Sequence, residues 1–295
     1  MLQHHRQAAT PPERTVILGA AGFVGTAAAA AVRASGGEVL SLGRGELDLL
    51  APDAADRLAG MLKPADALVF ISAKAPVKNN EMLLDNIRMG DTVCRAVAAS
   101  PVAHLLYVSS DAVYGDTPVP LNEASAPAPG SLHGAMHLTR EVMLQQNLPQ
   151  IPLCILRPTL IYGASDPHNG YGPNRFRRLA GEGIPIRLFG EGEELRDHVL
   201  VDDVARLLQL ILAHRSTGIL NAASGIVTSF RRLAEMAVAA AGREVKIEGS
   251  PRNGPMPHNG YRPFDIAAIQ KAFPSFRPTP IEDGIALVQK AAAAT

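Results

Sequence analysis

"TVILGAAGFVG", residues 15–25, decides how the rest of the chain reads. The run at 15–19 is apolar and strand-like. Gly19, Gly22 and Gly25 then stand at G-x-x-G-x-x-G spacing, and an alanine-rich helix runs on to about Ser35. The first glycine of such a turn permits a tight strand-to-helix reversal. The second lets the backbone approach a pyrophosphate, and the third lets the helix pack on the strand. The helix N-terminus then meets the phosphate charge with its open N–H groups. A glycine triplet by itself also fits a purely structural turn. Its place here, after an apolar strand and at the head of a helix, points to a dinucleotide cradle made by Gly19, Gly22, Phe23, Val24 and Gly25.

Outward from this turn, strands and helices alternate. Strands are expected at 38–43, 67–73 and 104–110, and at 153–163, where a strand runs into a loop. Helices are expected at about 81–99 and 131–147. The apolar run at 67–73 is continuous, as a strand buried on both faces requires. This alternation implies a parallel sheet with right-handed crossovers. The fold class is therefore α/β, a Rossmann-type doubly wound parallel sheet. After residue 164 the pattern becomes mixed, with short strands at 186–190 and 244–249 and helices at 201–214 and 228–241. These pieces suit a smaller mixed C-terminal substrate lobe over the sheet's carboxyl edge. The expected division is a flexible tail at 1–14, a dinucleotide-binding core at 15–163, and a lobe at 164–295 whose segments around 195–225 return to the core. The Pro/Gly-rich stretch at 249–263 reads as a loop that helps define the substrate.

The chain has 295 residues, 47% of them hydrophobic, enough to bury a sizeable core. Lys+Arg and Asp+Glu balance at 28 each, so neither a nucleic acid nor an acidic membrane is an expected partner. The one dense basic run, Arg175, Phe176, Arg177 and Arg178, reads either as a solvated helix face or as an anion site. Cys94 and Cys154 lie in apolar runs without metal-ligand spacing, so both read as core residues and no metal is expected. Their free state suits a reducing, cytoplasmic compartment. No run approaches the roughly 18 apolar residues of a membrane span. The opening "MLQHHRQAATPPER" lacks the apolar segment of a signal peptide and reads as a loose tail.

The end of the second strand bears on which cofactor is used. NAD enzymes place an acid there to bond the ribose 2′-hydroxyl. In "SLGRGELD" that position is Gly43, and Arg44 follows it. An arginine pairs with a 2′-phosphate. NADP is therefore expected over NAD, against the alternative that Arg44 is a solvated loop residue.

With these pieces in place, five segments occur in the order kept by one family: "GAAGFVG", "ELDLLAPDA", "YVSSDAVYGD", "LRPTLIYG" and "GEGEELRDHVLVDDVARLL". The chain resembles the extended short-chain dehydrogenase/reductases, the NAD-dependent epimerase/dehydratase group, over roughly residues 14–293. The resemblance implies an NAD(P)-binding domain, a small lobe that grips a nucleotide sugar, and hydride transfer at a carbinol or ketone carbon. It implies that Ser110 bonds the substrate oxygen. It extends the cofactor contacts to Asp48, Ala73 and Asn86, the last within "NIRMGD", where Asp91 stands in place of the usual threonine. It assigns Arg157, His168, Asn169, Asn174, Arg175 and Arg196 to the substrate side. The dehydratases follow the active-site hydroxyl with Asp-Glu, whereas this chain has Asp111-Ala112, which argues against 4,6-dehydration. A homodimer built on the helices at about 81–99 and 131–147 is a further implication.

The resemblance breaks at one point. The family's Tyr-x-x-x-Lys supplies an acid/base and a lysine that lowers its pKa and holds the nicotinamide ribose. In "SLHGAMHLTREVML", residues 131–144, those positions are His133 and His137, framed by the expected Gly134 and Glu141. The pair has not moved elsewhere. Four residues after each tyrosine stand Asp111, Pro118, Asp166, Arg175 and Asp265, and no lysine occurs between Lys78 and Lys246. His133 as a substitute acid/base is one reading, since histidine titrates near neutrality unaided. His137 would then bond the ribose or be a spectator. A site that binds a dinucleotide or sugar nucleotide without turnover, as a sensor or partner, is the alternative. The i, i+4 spacing also suits a metal, but no glutamate lies between the histidines and no third ligand is evident. A Ser110–His133 hydrolytic dyad lacks a nucleophile elbow.

Overall fold

The computed structural model describes residues 2–293; Met1, Ala294 and Thr295, the outer ends of the expected tail and lobe, lie outside the described residues. The first half of the chain runs β1 (Arg14–Leu18), α1 (Phe23–Ala34), β2 (Glu38–Leu42), α2 (Ala54–Met61), β3 (Ala67–Phe70), α3 (Asn80–Ala99), β4 (His104–Val108), α4 (Leu132–Asn147), β5 (Leu153–Pro158) and β6 (Leu160–Tyr162). The second half runs α5 (Pro173–Glu182), β7 (Ile186–Phe189), β8 (Leu195–Leu200), α6 (Val201–Ala213), β9 (Gly218–Ala222), β10 (Val227–Ser229), α7 (Phe230–Ala241), β11 (Ile247–Ser250), β12 (Tyr261–Arg262), α8 (Ala267–Ala272) and α9 (Ile281–Ala293).

Six strands form a parallel sheet in the order β2-β1-β3-β4-β5-β9. Successive side chains on a strand face opposite ways, and both faces are covered. Val16, Leu18, Phe70 and Tyr107 pack with α2 and α3, while Ile17, Val69, Leu106 and Leu156 pack with α1 and α6. Cys94 and Cys154 are free and buried within these two layers. The chain crosses from β1 to opposite sides at β2 and β3, which leaves a crevice at the carboxyl ends of the strands, where α/β sheets bind ligands. No helix among the described residues is long and apolar enough to cross a membrane.

The stretch expected to continue as one strand over 153–163 divides at Thr159. There β5 ends in the main sheet, and β6 leaves to pair with β8 in a second sheet that also holds β10 and β12. Thr159 serves both sheets, donating its N–H to Ala222 O at 3.0 Å and its hydroxyl to Asp197 Oδ1 at 3.0 Å. A third apolar cluster, with Phe176, Ile186, Leu188, Phe230 and Leu233 at its centre, holds the lobe together.

The tail differs from the expectation of a loose segment. Gln3 exchanges both backbone hydrogen bonds with Thr217, at 2.9 and 2.8 Å. His4 bonds the Ser216 hydroxyl through Nδ1 at 2.7 Å and the Ala272 carbonyl through Nε2 at 2.9 Å, and its ring lies 4.6 Å from that of His214. Polarity misled the reading: these histidines find backbone and ring partners that a linear sequence does not display.

Candidate active site

The glycine turn is shaped as its spacing implies. Gly19 has φ +89°, a conformation that favours glycine, and a Cβ there would lie 2.8 Å from Ser72 N. A Cβ on Gly25 would lie 2.0 Å from Gly19 O, so only a hydrogen lets α1 pack on β1. Gly22 caps α1 without any side-chain cap, and the first turn carries no acidic residue. Its N–H groups therefore stay open to an anion, with no carboxylate to repel it. Above the turn lies a cavity of about 610 Å³ lined by Gly22, Phe23, Val24, Arg44, Asp48 and Ala73 among others. A dinucleotide fits this chemistry. Arg44 is largely exposed and reaches Asp48 with Nε at 3.2 Å. A bond from Leu50 N, and secondarily Arg44, hold the Asp48 carboxyl below its usual range.

Asn86 differs from its expected role as a cofactor contact. It is fully buried, and both ends of its amide are used within the protein. Its Oδ1 accepts from Lys74 N at 3.0 Å, and Nδ2 donates to Lys74 O at 3.0 Å and to Met82 O at 2.8 Å. It clamps the loop after β3 and does not line the cavity. Lys74, which the sequence reading overlooked, lines the cavity and pairs with Asp85 at 2.5 Å.

A second cavity of about 830 Å³ adjoins the first, and Val24, Ile71, Ala73, Ile161 and His168 wall both. Ser110, His133 and His137 line it. Gly134 explains how the two histidines are brought there. A Cβ on it would lie 2.0 Å from Ala112 O, so α4 rests directly on the loop that carries Ser110. The Ser131 hydroxyl accepts from Gly134 N at 3.1 Å and caps the helix. The rings of His133 and His137 meet edge to face with centroids 4.7 Å apart. His133 Nδ1 is buried without a partner, which leaves Nε2 to the cleft. Burial lowers the His133 pKa below its ordinary 6.5, Asp111 opposes this, and Arg140 adds to it. Burial, followed by His133 and Arg140, takes His137 well below the same value. Both imidazoles are thus neutral near pH 7.

Arg140 sits three residues beyond His137, and it is fully buried. It donates to Asn86 O at 2.8 Å, Ser72 O at 2.8 Å and Asn86 Oδ1 at 3.0 Å, and its guanidinium lies 4.7 Å over the Phe70 ring. The sequence reading passed it over, although it continues the 133, 137 stripe at helical spacing.

On the substrate side the expected residues separate. Arg196 lines the second cavity and bonds Glu194 at 3.1 Å; Asn174 lines it too, with Oδ1 held by Gly163 N at 3.0 Å. His168 is exposed on the shared wall. Asn169 and Arg175 are exposed and wall neither cavity; Asn169 Oδ1 instead accepts from Arg178 at 3.0 Å. Arg157 also differs from its expected role. It is buried away from both cavities and grips Glu141 with two bonds of 2.9 and 2.5 Å, so it holds β5 to α4 instead of meeting substrate. Arg262, missed in the sequence although it lies in the flagged loop, is buried and braces Asp111, Asp116 and His258, which line the second cavity. Its Nε reaches Asp111 Oδ2 at 3.1 Å and its Nη1 reaches Asp116 Oδ1 at 3.0 Å, while His258 bonds the same Asp116 oxygen at 2.5 Å.

Comparison with known proteins agrees with this geometry. The model of the NAD dependent epimerase/dehydratase family matches residues 15–223. The chain is 29% identical over 273 residues to a UDP-glucose 4-epimerase of Mycolicibacterium smegmatis, covering 81% of this chain and 86% of the relative. It is 28% identical over 288 residues to a dTDP-6-deoxy-L-talose 4-dehydrogenase (NAD(P)(+)) of Kitasatospora kifunensis, covering 88% and 90%. A crystal structure of Thermus thermophilus UDP-glucose 4-epimerase in complex with NAD superimposes with a TM-score of 0.82 at 24% identity, over 96% of this chain and 99% of that one. The glycine cradle, the parallel sheet and the extent of the match together place this chain in the NAD-dependent epimerase/dehydratase family.

Proposed function

We propose that the protein is an NAD(P)-dependent epimerase or oxidoreductase acting on a nucleotide-linked or otherwise modified sugar, with His133 as its acid/base. The observation that carries this reading is the setting of His133. It lies on α4 beside Ser110, in the cleft that adjoins the glycine cradle, with one ring nitrogen buried and the other turned to the cleft. The names of the relatives, a sugar-nucleotide epimerase and a sugar-nucleotide dehydrogenase, support the substrate class.

When bound, the dinucleotide supplies hydride acceptance and return. Gly19, Gly22 and Gly25 shape its seat, and the first turn of α1 faces its phosphates. The Ser110 hydroxyl accepts from Ala112 N at 3.2 Å and has only a 3.5 Å contact to Asp111 Oδ1 as a donor, so its proton is available to a substrate oxygen. His133, neutral near pH 7, takes the proton of a carbinol through Nε2 during oxidation and returns it to the oxygen during reduction. Arg196 lines the cavity that takes the rest of the substrate, and its charge suits a diphosphate. Dehydration is disfavoured because Ala112 offers no acid and the Asp111 carboxylate is engaged by Arg262 at 3.1 Å.

His133→Ala is expected to lower turnover by about 10²–10⁴-fold while leaving dinucleotide affinity intact, the usual range for loss of a general acid/base. The nicotinamide absorbance change with a panel of sugar nucleotides measures it, and an unchanged rate would remove His133 from the chemistry. The pH sign follows from the lowered pKa. Oxidation needs the free base, so its rate falls as pH drops through a value below 6.5, and the rate of reduction shifts in the opposite sense.

For the cofactor, NADP over NAD is the finer proposal. Gly43 supplies no acid at the ribose position, and Arg44 is restrained only by one surface pair that a 2′-phosphate can displace. The ratio of dissociation constants for the two dinucleotides tests it.

A further inference from the structure

We infer that Arg140 and Tyr107 lock His137 in a single neutral tautomer, with Nε2–H presented to the cleft as a fixed donor to a ribose hydroxyl of the bound dinucleotide. The inference rests on the proposed placement of the cofactor against α4, and it assigns to this chain's own residues two tasks that lysine performs alone elsewhere in the family.

The lock follows from counting donors and acceptors. The Tyr107 hydroxyl lies 2.7 Å from His137 Nδ1, in a fully buried setting. One proton occupies that contact. Burial raises the Tyr107 pKa, so the phenol keeps its proton near neutral pH. That proton needs an acceptor. The other charged groups acting on the phenol are the guanidinium of Arg140, which has donors and no acceptor, and the Glu141 carboxylate, whose oxygens are taken by Ser109 and Arg157. Among the described residues, His137 Nδ1 is the only acceptor bonded to Tyr107 Oη. Tyr107 therefore donates to Nδ1, and Nδ1 carries no hydrogen. In a neutral imidazole the hydrogen then resides on Nε2. His137 lines the cleft, and Nε2 is the nitrogen left to face it.

Arg140 makes the polarity one-way. Its three bonds go to oxygens of Ser72 and Asn86, and among the described residues no carboxylate pairs with it. The groups around the imidazole are Tyr107 from β4 and His133 and Arg140 from α4; the Glu141 carboxylate, which also acts on Tyr107, is paired with Arg157. A proton added at Nδ1 would face the Tyr107 oxygen, whose own hydrogen would then have nowhere to go, beside an uncompensated cation. The same guanidinium ties α4 to Ser72 and, through Asn86, to the loop at Lys74 that walls the cofactor cavity. The lysine's hydrogen-bond donor is thus supplied by His137, and its positive charge by Arg140, one turn further along the helix.

The test is the imidazole ¹⁵N spectrum of the full-length protein, without ligand, across pH 5–8. The expected result is a pyrrole-type Nε2 and a pyridine-type Nδ1 for His137, with no titration in that range. Tyr107→Phe removes only a hydroxyl, and is expected to give a tautomer mixture with about threefold to tenfold weaker dinucleotide binding, the scale of one hydrogen bond. Arg140→Met is expected to raise the His137 titration midpoint into the observable range. A hydrogen on Nδ1 in the parent protein, a midpoint near 6.5, or Tyr107→Phe binding dinucleotide as tightly as the parent would each overturn the inference. Failure of the parent to bind any dinucleotide would overturn the proposed function instead, and the tautomer measurement would still decide the lock.

Discussion

Arg140, on α4, and Arg157, on β5 and bonded to α4, are both buried guanidiniums, and they are held in opposite ways. Arg157 grips Glu141 through two bonds, with Ser109 adding a third to the same carboxylate, so the charge is cancelled where it sits. Burial weighs most on the Arg157 pKa, and Glu141 more than offsets it. Arg140 has only neutral oxygens, and burial lowers its pKa. A cancelled charge is structural. An uncancelled one acts on its neighbours, and here these are Tyr107, His133 and His137. The two residues that differ from the family motif therefore lie on the side of α4 that carries the unpaired cation, which adds to the effect of burial on both.

The comparison breaks most readily in stability. Arg157→Met strands the Glu141 carboxylate in the core and is expected to cost about 3–5 kcal/mol. Arg140→Met strands only neutral acceptors, and about 1–3 kcal/mol is expected. Denaturant unfolding of both variants checks the order, and the reverse order would remove the distinction between the two arginines.

Acid titration sharpens the same contrast. Burial takes His104 to about 4 and His198 to about 3, and His137 well below its ordinary value. Below pH 6.5 the unfolded chain binds protons that the folded one refuses, so stability falls as pH falls. The slope is roughly 1.4 kcal/mol per pH unit for each such histidine. Asp197, pushed up to about 6 by burial, takes up its proton more readily when folded and offsets about one of them. Unfolding midpoints between pH 7 and 4.5 should show this decline. In Arg140→Met the His137 share should weaken, because that group then charges more easily in the fold. Arg157→Lys, which retains the paired charge, should leave it in place. At the smallest scale, Arg44→Ala should hardly change the unfolding midpoint of a residue pair so exposed, yet reduce any preference for NADP over NAD by about tenfold, the scale of a charge-assisted bond.

Much of the fold was legible because its determinants are local. The apolar runs at β1, β3 and β4 and the glycines at 19, 22 and 25 state their geometry by spacing, and the expected strands and helices occur within a few residues of their places. The division at Thr159 was not legible, because it depends on two sheets competing for one residue. The site divided in the same way. His133 and His137 were found by their position relative to Gly134 and Glu141, and Ser110 by its place in "YVSSDAVYGD"; all three line one cleft. Arg157 and Asn86 were assigned to ligands and proved to be saturated by Glu141, and by Lys74, Met82 and Arg140. Arg140 was overlooked, although its spacing from His137 was visible.

By itself, then, the sequence determined the glycine cradle, the order of the parallel strands' connections and the identity of the two residues that replace tyrosine and lysine, since each follows from spacing along the chain. Tertiary structure decided which charges are cancelled and which are not. That depends on burial and on partners 16 to 54 residues away, as for Arg157 with Glu141 and Arg140 with Asn86. Burial and charge pairing in a core are properties of three-dimensional neighbours, and in this protein burial, with the unpaired Arg140 adding to it, lowers the pKa of the histidines on which the proposed chemistry rests.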